Sequence, residues 1–191
     1  MIIVYICVYA VFVGFFLIEH FIRKGKDTKN MNRTEFDKGS TTFISVAMGT
    51  AFVIIPLAPI PNYFKVGNVF SVGLGVVGLL LGVLGLIIRY SAFTTLGRFF
   101  TRTLREAEDH KLVTNGIYKH IRHPGYLSDM LIFIGVALAM GNLIPLVAVP
   151  IMFIPAYLYR IHTEEKMLIG IFGENYVSYR QTSKRLIPFI Y

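Results

Sequence analysis

The feature that most constrains this chain is a run of 23 residues, about Val66 to Ile88, without one charged side chain. A charged side chain at the middle of a bilayer costs ~2.5–3.5 kcal/mol on insertion scales. A helix rises about 1.5 Å per residue and the hydrocarbon core is roughly 30 Å thick, so a run of this length can cross it. The sequence therefore predicts a membrane-spanning helix here.

Four further apolar runs give most of the chain the same character. Of its 191 residues, 54% are hydrophobic and 16% are charged, and the mean hydropathy is +0.60. A water-soluble domain of this size could not bury so much apolar surface in one core. The predicted spans lie at about residues 1–22, 41–60, 66–88, 125–141 and 143–160. We therefore expect an all-α integral membrane protein with about five transmembrane helices in a single membrane domain.

The first and the last runs need separate arguments. The first has no basic residue before its apolar stretch and ends in Glu19-His20-Phe21, whereas a signal peptide needs a basic start and a small-residue cleavage site. We expect it to be a retained span. The last two runs are shorter and meet at Gly141-Asn142, which is typical of a tight turn. They predict a C-terminal helical hairpin.

The distribution of charge indicates how the chain is oriented. Lys and Arg number 19 against 11 Asp and Glu, for a net charge of +8. With five spans, every basic residue except Lys65 falls on one side of the membrane. The positive-inside rule makes that side the cytoplasm, with the N-terminus outside and the C-terminus inside. The charge therefore indicates topology, and we expect no nucleic-acid partner. The segments 89–124 and 161–191 would be cytoplasmic.

Two local patterns have a structural interpretation. Residues 73–78 match the dinucleotide fingerprint G-x-G-x-x-G, but they lie inside a predicted span, without the strand and the accessible phosphate site that the fingerprint needs. The steps of three and four residues between Gly75, Gly78, Gly82 and Gly85 instead predict a stripe for close helix packing. The single cysteine, Cys7, provides neither a disulfide nor a cysteine-based zinc site, and we expect no metal.

The candidate functional residues lie at the two cytoplasmic ends of the hairpin. Arg122-His123-Pro124 precedes the fourth span, where proline favours a helix start and exposed amides favour an anion. A simpler interpretation is a basic anchor with a helix-start proline. Asp129 follows inside the span, either as a functional intramembrane acid or as a solvated carboxylate near the helix start.

Arg160 and Glu164 lie one helical turn apart at the exit of the fifth span. They could form a surface salt bridge, which would contribute little stability. Alternatively, the guanidinium could hold a substrate carboxylate or phosphate while the carboxylate holds a cationic cofactor group. The two ends of a hairpin lie side by side, so this pair belongs near His123.

The order of these motifs resembles the isoprenylcysteine carboxyl methyltransferase family and, more loosely, the membrane phospholipid methyltransferases. The motifs that carry the resemblance are His110-Lys111-Leu112-Val113, Gly116-Ile117-Tyr118, His123-Pro124-Gly125-Tyr126, Arg160, Glu164-Glu165, Phe172-Gly173-Glu174-Asn175-Tyr176, Tyr179 and Arg185-Leu186-Ile187-Pro188. They cover about half of the chain. Gly125 departs from the larger or hydroxylated residue often found there, which leaves only its backbone for a contact.

The resemblance implies an enzyme that transfers a methyl group from S-adenosylmethionine to a lipophilic acceptor, most simply the carboxylate of an isoprenylcysteine. It implies that Arg160 faces the acceptor and that Arg160 and Glu164 are the catalytic pair. The cofactor contacts it implies are His110, Leu112, Val113, Tyr118, His123, Pro124, Gly125, Tyr126 and Glu164. An activated methyl donor requires neither a metal nor a nucleophilic side chain, but it requires alignment and exclusion of water.

Several alternatives stay open at this point. A phospholipid or small-amine methyltransferase on the same scaffold would need a base to deprotonate the amine, and Asp129, His162 and Glu165 are the candidates. A nicotinamide-dependent sterol-type reductase has similar terminal helices but more spans than this chain. A small membrane scaffold protein would bind no cofactor. The expected partners are a lipophilic or prenylated acceptor and membrane lipids. The short chain favours a prokaryotic cytoplasmic membrane, or the endoplasmic reticulum if the host is eukaryotic.

Overall fold

The computed structural model describes residues 1–24, 37, 39–97 and 112–187, with only the backbone for residues 22–24. Within these ranges the chain is helical, and only two isolated bridges, Asn68 with Asn142 and Ile121 with Lys184, pair extended backbone. A 3₁₀ turn at Gly116–Lys119 precedes α5. The α-helices are α1 (Ile2–Lys24), α2 (Ser40–Leu57), α3 (Pro59–Tyr63), α4 (Val72–Leu96), α5 (Pro124–Met140), α6 (Leu143–Phe172) and α7 (Glu174–Thr182).

Four stretches within the described ranges are long and apolar enough to cross a membrane. They are α1, α2 together with α3, α4, and α6, whereas α5 is apolar but has only 17 residues. Two boundaries differ from those predicted from hydropathy. Helix α4 begins at Val72 because the Ser71 side chain accepts a hydrogen bond from the Leu74 amide, and it continues to Leu96. Helix α6 continues to Phe172, so residues 161–172 lengthen the helix instead of forming a separate segment.

The glycine stripe of α4 forms a close contact with α5. Gly75, Gly78, Gly82 and Gly85 are all buried. A methyl group on Gly78 would lie 2.5 Å from the Ala139 amide nitrogen of α5, a distance at which the two backbones would have to move apart. The stripe therefore allows α4 and α5 to meet backbone to backbone.

A cluster of aromatic side chains fills the centre of the bundle. Phe133 of α5 packs against Phe15 of α1, Phe52 of α2 and Phe153 of α6, with ring centroids 5.0–5.5 Å apart. The pairs with Phe15 and Phe52 are edge-to-face, an arrangement that stabilises a core beyond the area it buries. These contacts fix the position of α5 relative to three other helices.

A buried charge cluster lies near the end of the bundle at which α5 begins. Arg89, predicted to begin a cytoplasmic segment, is a helical residue of α4 that is only 4% exposed. It is ion-paired with Glu19 of α1 and with Asp129 of α5, and Tyr157 of α6 donates a 2.9 Å hydrogen bond to Asp129. The interpretation of Asp129 as a solvated carboxylate was therefore wrong, because the side chain is buried among these partners.

The opposite end of the hairpin is held by two buried asparagines. Asn142 caps α6, and its side-chain amide donates to Asn62 at 2.8 Å and to the Val66 carbonyl at 2.9 Å. Asn62 in turn donates to the Met140 carbonyl at 2.8 Å. This network connects the α3 turn to the Gly141-Asn142 turn and fixes the far end of the α5–α6 hairpin.

Candidate active site

The candidate site is assembled where the C-terminal segment pairs with the start of α5. The amide of Arg122 donates to the Lys184 carbonyl at 2.7 Å, and the amide of Lys184 donates to the His120 carbonyl at 2.9 Å. The amide of His123 then donates to the Arg185 carbonyl at 3.1 Å. This short extended pairing places the residues after α7 beside His123.

His123 is at the centre of the site. It is the N-cap residue of α5, with Pro124 as the first helical residue, and it is 5% exposed. Its ring stacks on Tyr126 with a centroid distance of 5.5 Å and an interplanar angle of 10°. Its two nitrogens approach two carboxylates, with Nδ1 3.4 Å from Glu164 and Nε2 3.5 Å from Glu165. One imidazole therefore bridges consecutive acids of α6.

This arrangement favours the protonated imidazole. Burial alone would lower the pKa of His123, but the close approach and the negative charges of Glu164 and Glu165 outweigh burial, so its pKa lies above the usual value. The charge of His123 therefore depends on both acids.

Glu164 and Glu165 differ in the hydrogen bonds that their carboxylates accept. Glu165 is 4% exposed and accepts hydrogen bonds from Arg122 at 2.9 Å and from Arg185 at 3.1 Å. Arg122 also donates to the Ser183 carbonyl. Glu165 thus anchors the C-terminal segment, and its charge is neutralised by arginines. Glu164 Oε2 is buried and has no hydrogen-bond partner among the described residues, since its approach to His123 lacks hydrogen-bond geometry.

Arg160 lies one turn before Glu164 and is 1% exposed. Its Nε donates to the Tyr126 hydroxyl at 3.0 Å, and its Nη1 donates to Asp37 at 3.1 Å, to Ser40 at 2.9 Å and to Thr41 at 3.0 Å. Asp37 also accepts from the Thr41 amide and so caps the start of α2. The interpretation of Arg160 as part of a surface salt bridge was therefore wrong, because its guanidinium is buried and fixed from α2 and α5.

Two buried tyrosines of α7 close the site. Gly173, with φ of 53°, lies between the end of α6 and the start of α7 and allows the chain to turn there. Tyr179 donates a 2.5 Å hydrogen bond to the Tyr118 carbonyl, and burial raises the pKa of Tyr179 to about 12. Tyr176 is 1% exposed, and its hydroxyl has no hydrogen-bond partner in the described part of the chain.

The structure brings most of the predicted site residues together. The residues that lie together belong to the turn before α5, the start of α5 and the second half of α6. They are Tyr118, His123, Pro124, Tyr126, Arg160 and Glu164. Leu112, Val113 and Gly125 are partly buried. His110 lies outside the described residues. His162 is exposed, away from this cluster.

Sequence reasoning missed three contributions to the site. Asp37 and the hydroxyls of Ser40 and Thr41 hold Arg160 across more than 100 residues of sequence. Asp37 and Ser40 before an apolar run are a capping pattern that could have located the start of α2. The pattern does not indicate that these residues bind Arg160. Arg185 was noted only as part of a closing motif, and Tyr176 only as part of a resemblance.

Comparison with known proteins identifies relatives of this site. Residues 76–170 match the isoprenylcysteine carboxyl methyltransferase (ICMT) family. The chain is 36% identical over 115 residues to protein-S-isoprenylcysteine O-methyltransferase B of Arabidopsis thaliana, covering 59% of this chain and 58% of the relative. It is 33% identical over 109 residues to the enzyme of that name from Schizosaccharomyces pombe, covering 56% of this chain and 46% of the relative.

A solved structure is similar over almost the whole chain. The eukaryotic intramembrane Ras methyltransferase ICMT superposes with a TM-score of 0.66 at 27% identity, covering 97% of this chain and 65% of that one. This chain thus spans about half to two thirds of the length of these relatives.

Proposed function

Since the chain belongs to the isoprenylcysteine carboxyl methyltransferase family, we propose that it methylates the carboxylate of a lipophilic, isoprenylcysteine-like acceptor with S-adenosylmethionine as the donor. The observation that carries this proposal is a pair of buried polar atoms, His123 Nε2 and Glu164 Oε2, that have no hydrogen-bond partner among the described residues. Glu164 lies one turn from the buried cation Arg160. A site for a cationic cofactor and an anionic acceptor needs both signs of charge in one water-poor place.

The residues present fit the cofactor. Buried polar atoms without partners are costly in a folded protein and indicate a place that a ligand completes. Glu164 offers an acceptor for a cationic group, and His123, stacked on Tyr126, provides a flat buried surface with a nitrogen at its edge. When bound, S-adenosylmethionine supplies a methyl group already activated on a sulfonium. The protein then has to align the methyl carbon with its acceptor and exclude water.

The cofactor-binding set that we propose extends around these two residues. Glu164 and His123 are its centre, and the segment before α5 provides the rest. The full set is His110, Leu112, Val113, Tyr118, His123, Pro124, Gly125, Tyr126 and Glu164.

Arg160 is the proposed partner of the acceptor carboxylate. Its guanidinium is held by Tyr126 and by the start of α2, so it presents a fixed positive charge with little orientational freedom left to lose. A carboxylate is already ionised at neutral pH and attacks without a general base. Arg160 therefore only has to orient it beside the methyl donor, while Glu164 holds the donor.

The residues around the site support a carboxylate acceptor over an amine. An ammonium group must lose a proton before it can attack a methyl group, which requires a free base. Of the candidates, Glu165 is ion-paired with Arg122, Asp129 with Arg89, and His162 is exposed away from the cluster. A carboxylate acceptor avoids this requirement, and a prenylated tail would lie against the apolar helices.

The proposed topology puts this site at the cytoplasmic face. It rests on the positive-inside rule, with the N-terminus outside and the C-terminus inside a prokaryotic cytoplasmic membrane or the endoplasmic reticulum. In this arrangement the chain is one membrane domain, and the residues between α4 and α5, with the end of α6 and the residues after it, contribute the catalytic region from the cytoplasmic side.

Calorimetry of the purified protein with S-adenosylmethionine tests the cofactor site. We expect Glu164→Ala and His123→Ala to weaken binding at least tenfold, because each removes a buried polar partner. The matched control is Lys166→Ala, an exposed residue of the same helix. Absence of binding in the natural protein, or binding unchanged by both variants, would reject the assignment.

Methyl transfer to an N-acyl S-isoprenylcysteine tests the acceptor site. We expect Arg160→Lys to keep cofactor binding, because the charge remains, and to lower turnover with the carboxylate acceptor, because a lysine cannot reproduce the fixed guanidinium. Turnover equal to that of the natural protein would remove Arg160 from the acceptor site. Transfer to an amine lipid but not to the carboxylate would favour the N-methyltransferase alternative.

A further inference from the structure

The hydroxyl of Tyr176 is a buried polar group to which the proposed function assigns no role. The side chain is 1% exposed, yet its Oη has no hydrogen-bond partner among residues 1–24, 37, 39–97 and 112–187. A phenylalanine would fill the same space without this cost, because burying an unpaired hydroxyl destabilises a protein. The described residues therefore do not explain why a hydroxyl is present at this position.

The other buried tyrosine of α7, Tyr179, has a hydrogen-bond partner within the protein. Tyr179 lies three residues further along α7, on the same face of the helix, and the centroids of the two rings are 5.9 Å apart. Its hydroxyl donates to the Tyr118 carbonyl at 2.5 Å. One helix thus carries two buried tyrosines, of which only Tyr179 has a hydrogen-bond partner in the described part of the chain, and this makes Tyr179 the natural control for Tyr176.

The surroundings of Tyr176 indicate the chemistry of the missing partner. Burial raises the pKa of Tyr176, and the nearby negative charges of Glu165 and Glu164 raise it further, so the phenol stays protonated close to both acids. Glu165 is already satisfied by Arg122 and Arg185. Glu164 Oε2 is not satisfied. Two oxygens without a hydrogen bond among the described residues, one of them anionic, are therefore near enough for the charge of Glu164 to act on the phenol of Tyr176.

A primary ammonium group is complementary to this pair. Its positive charge is attracted by the carboxylate of Glu164. It also has three N–H donors, and a carboxylate oxygen and a phenol oxygen can each accept one of these hydrogen bonds. A carboxylate or phosphate placed here would instead be repelled by the negative charges of Glu164 and Glu165.

We propose that Tyr176 Oη and Glu164 Oε2 together accept hydrogen bonds from the α-ammonium group of the methyl donor. The inference rests on the proposed function, since it assigns a further residue to the same cofactor site. It makes α7 part of the binding site rather than a helix that only covers it. Gly173 and the pairing of Lys184 with His120 hold α7 in place, so the Tyr176 hydroxyl is positioned before the ligand arrives.

Calorimetry with S-adenosylhomocysteine, which binds without turnover, tests the contact on the full chain in detergent. We expect Tyr176→Phe to weaken binding about tenfold, as the loss of one hydrogen bond to a charged group would. With the desamino analogue, in which hydrogen replaces the ammonium group, we expect the natural protein and Tyr176→Phe to bind equally. Tyr179→Phe should show no such dependence on the ammonium group.

Other outcomes are equally informative. Equal losses for both ligands would overturn the contact with the ammonium group, and no loss for either would show that the hydroxyl meets no ligand. Without ligand, the melting temperature of Tyr176→Phe should equal or exceed that of the natural protein; a lower value would mean that the hydroxyl has a partner in the protein and would also overturn the inference. If the natural protein binds no S-adenosylhomocysteine, the proposed function fails as well; normal binding with an unaffected variant rejects only the role of Tyr176.

Discussion

Replacing Gly78 with alanine tests whether α5 is positioned by the glycine stripe. The added methyl group would lie 2.5 Å from the Ala139 amide nitrogen and 2.9 Å from its Cα. These are backbone atoms, so no side chain can rotate away. Ordinary contacts between carbon atoms need about 3.5–4.0 Å, so the two helices must separate by about 1 Å.

The size of the effect follows from that separation. Overpacking of a tight contact costs about 1–3 kcal/mol, and the intrinsic preference of helices for alanine over glycine returns at most about 1 kcal/mol. We therefore expect Gly78→Ala to lower the free energy of unfolding by about 1–2 kcal/mol. Gly49→Ala is the matched control, because Gly49 is an exposed residue of α2 with no atom within 4 Å of its added methyl group. It should be neutral or stabilising.

The assay is unfolding of the purified protein in mixed micelles, followed by circular dichroism at 222 nm because the chain has no tryptophan. Cofactor binding should weaken in parallel, since α5 carries His123 at its start. A Gly78→Ala protein as stable as Gly49→Ala would refute the argument that α4 and α5 meet backbone to backbone.

Three further predictions concern the charged groups and the topology. The pKa of His123 is raised in the folded protein, so its ion pairs contribute stability that is fully present below about pH 6.5 and is lost as pH rises through the folded pKa; unfolding of the natural protein should show this loss, and His123→Gln should not. Asp37→Ala should cost about 3 kcal/mol in the same assay, because it leaves a buried guanidinium without its carboxylate; a loss below about 0.5 kcal/mol would mean that the pair contributes little. In a Cys7→Ala background, Tyr63→Cys, at a position 82% exposed, should react with an impermeant maleimide on intact cells, whereas Ser178→Cys should react only after permeabilisation; the reverse pattern would invert the topology.

The family resemblance predicted from the motifs at residues 110–126 and 160–188 is confirmed by the family match and the solved relative. The all-helical membrane fold is confirmed with it. Both could be predicted because hydropathy and motif spacing are local properties of the chain. The roles of Arg160 and Glu164, and the number of spans, stay predictions.

The errors have a common physical cause. Arg89 follows directly on an apolar run, and hydropathy therefore ended the span before it, yet Glu19 and Asp129 make its burial possible. Hydropathy likewise predicts that the last span ends at Arg160, its first charged residue. The helix continues past Glu165, which is buried among arginines from other segments. A charge marks the edge of a membrane only when it has no buried partner, and that partner can lie anywhere in the sequence.

The sequence by itself determined that apolar runs form helices in a membrane, that a glycine stripe faces a close neighbour, and that His123, Arg160 and Glu164 lie at one end of a hairpin. These follow from side-chain solvation and helical periodicity. Only the tertiary structure decided that Asp37 holds Arg160 and that arginines satisfy Glu165. It also decided that Glu164 Oε2 and the Tyr176 hydroxyl have no hydrogen-bond partner among the described residues. Which polar atoms find partners depends on contacts between distant segments, and those exist only once the helices have packed.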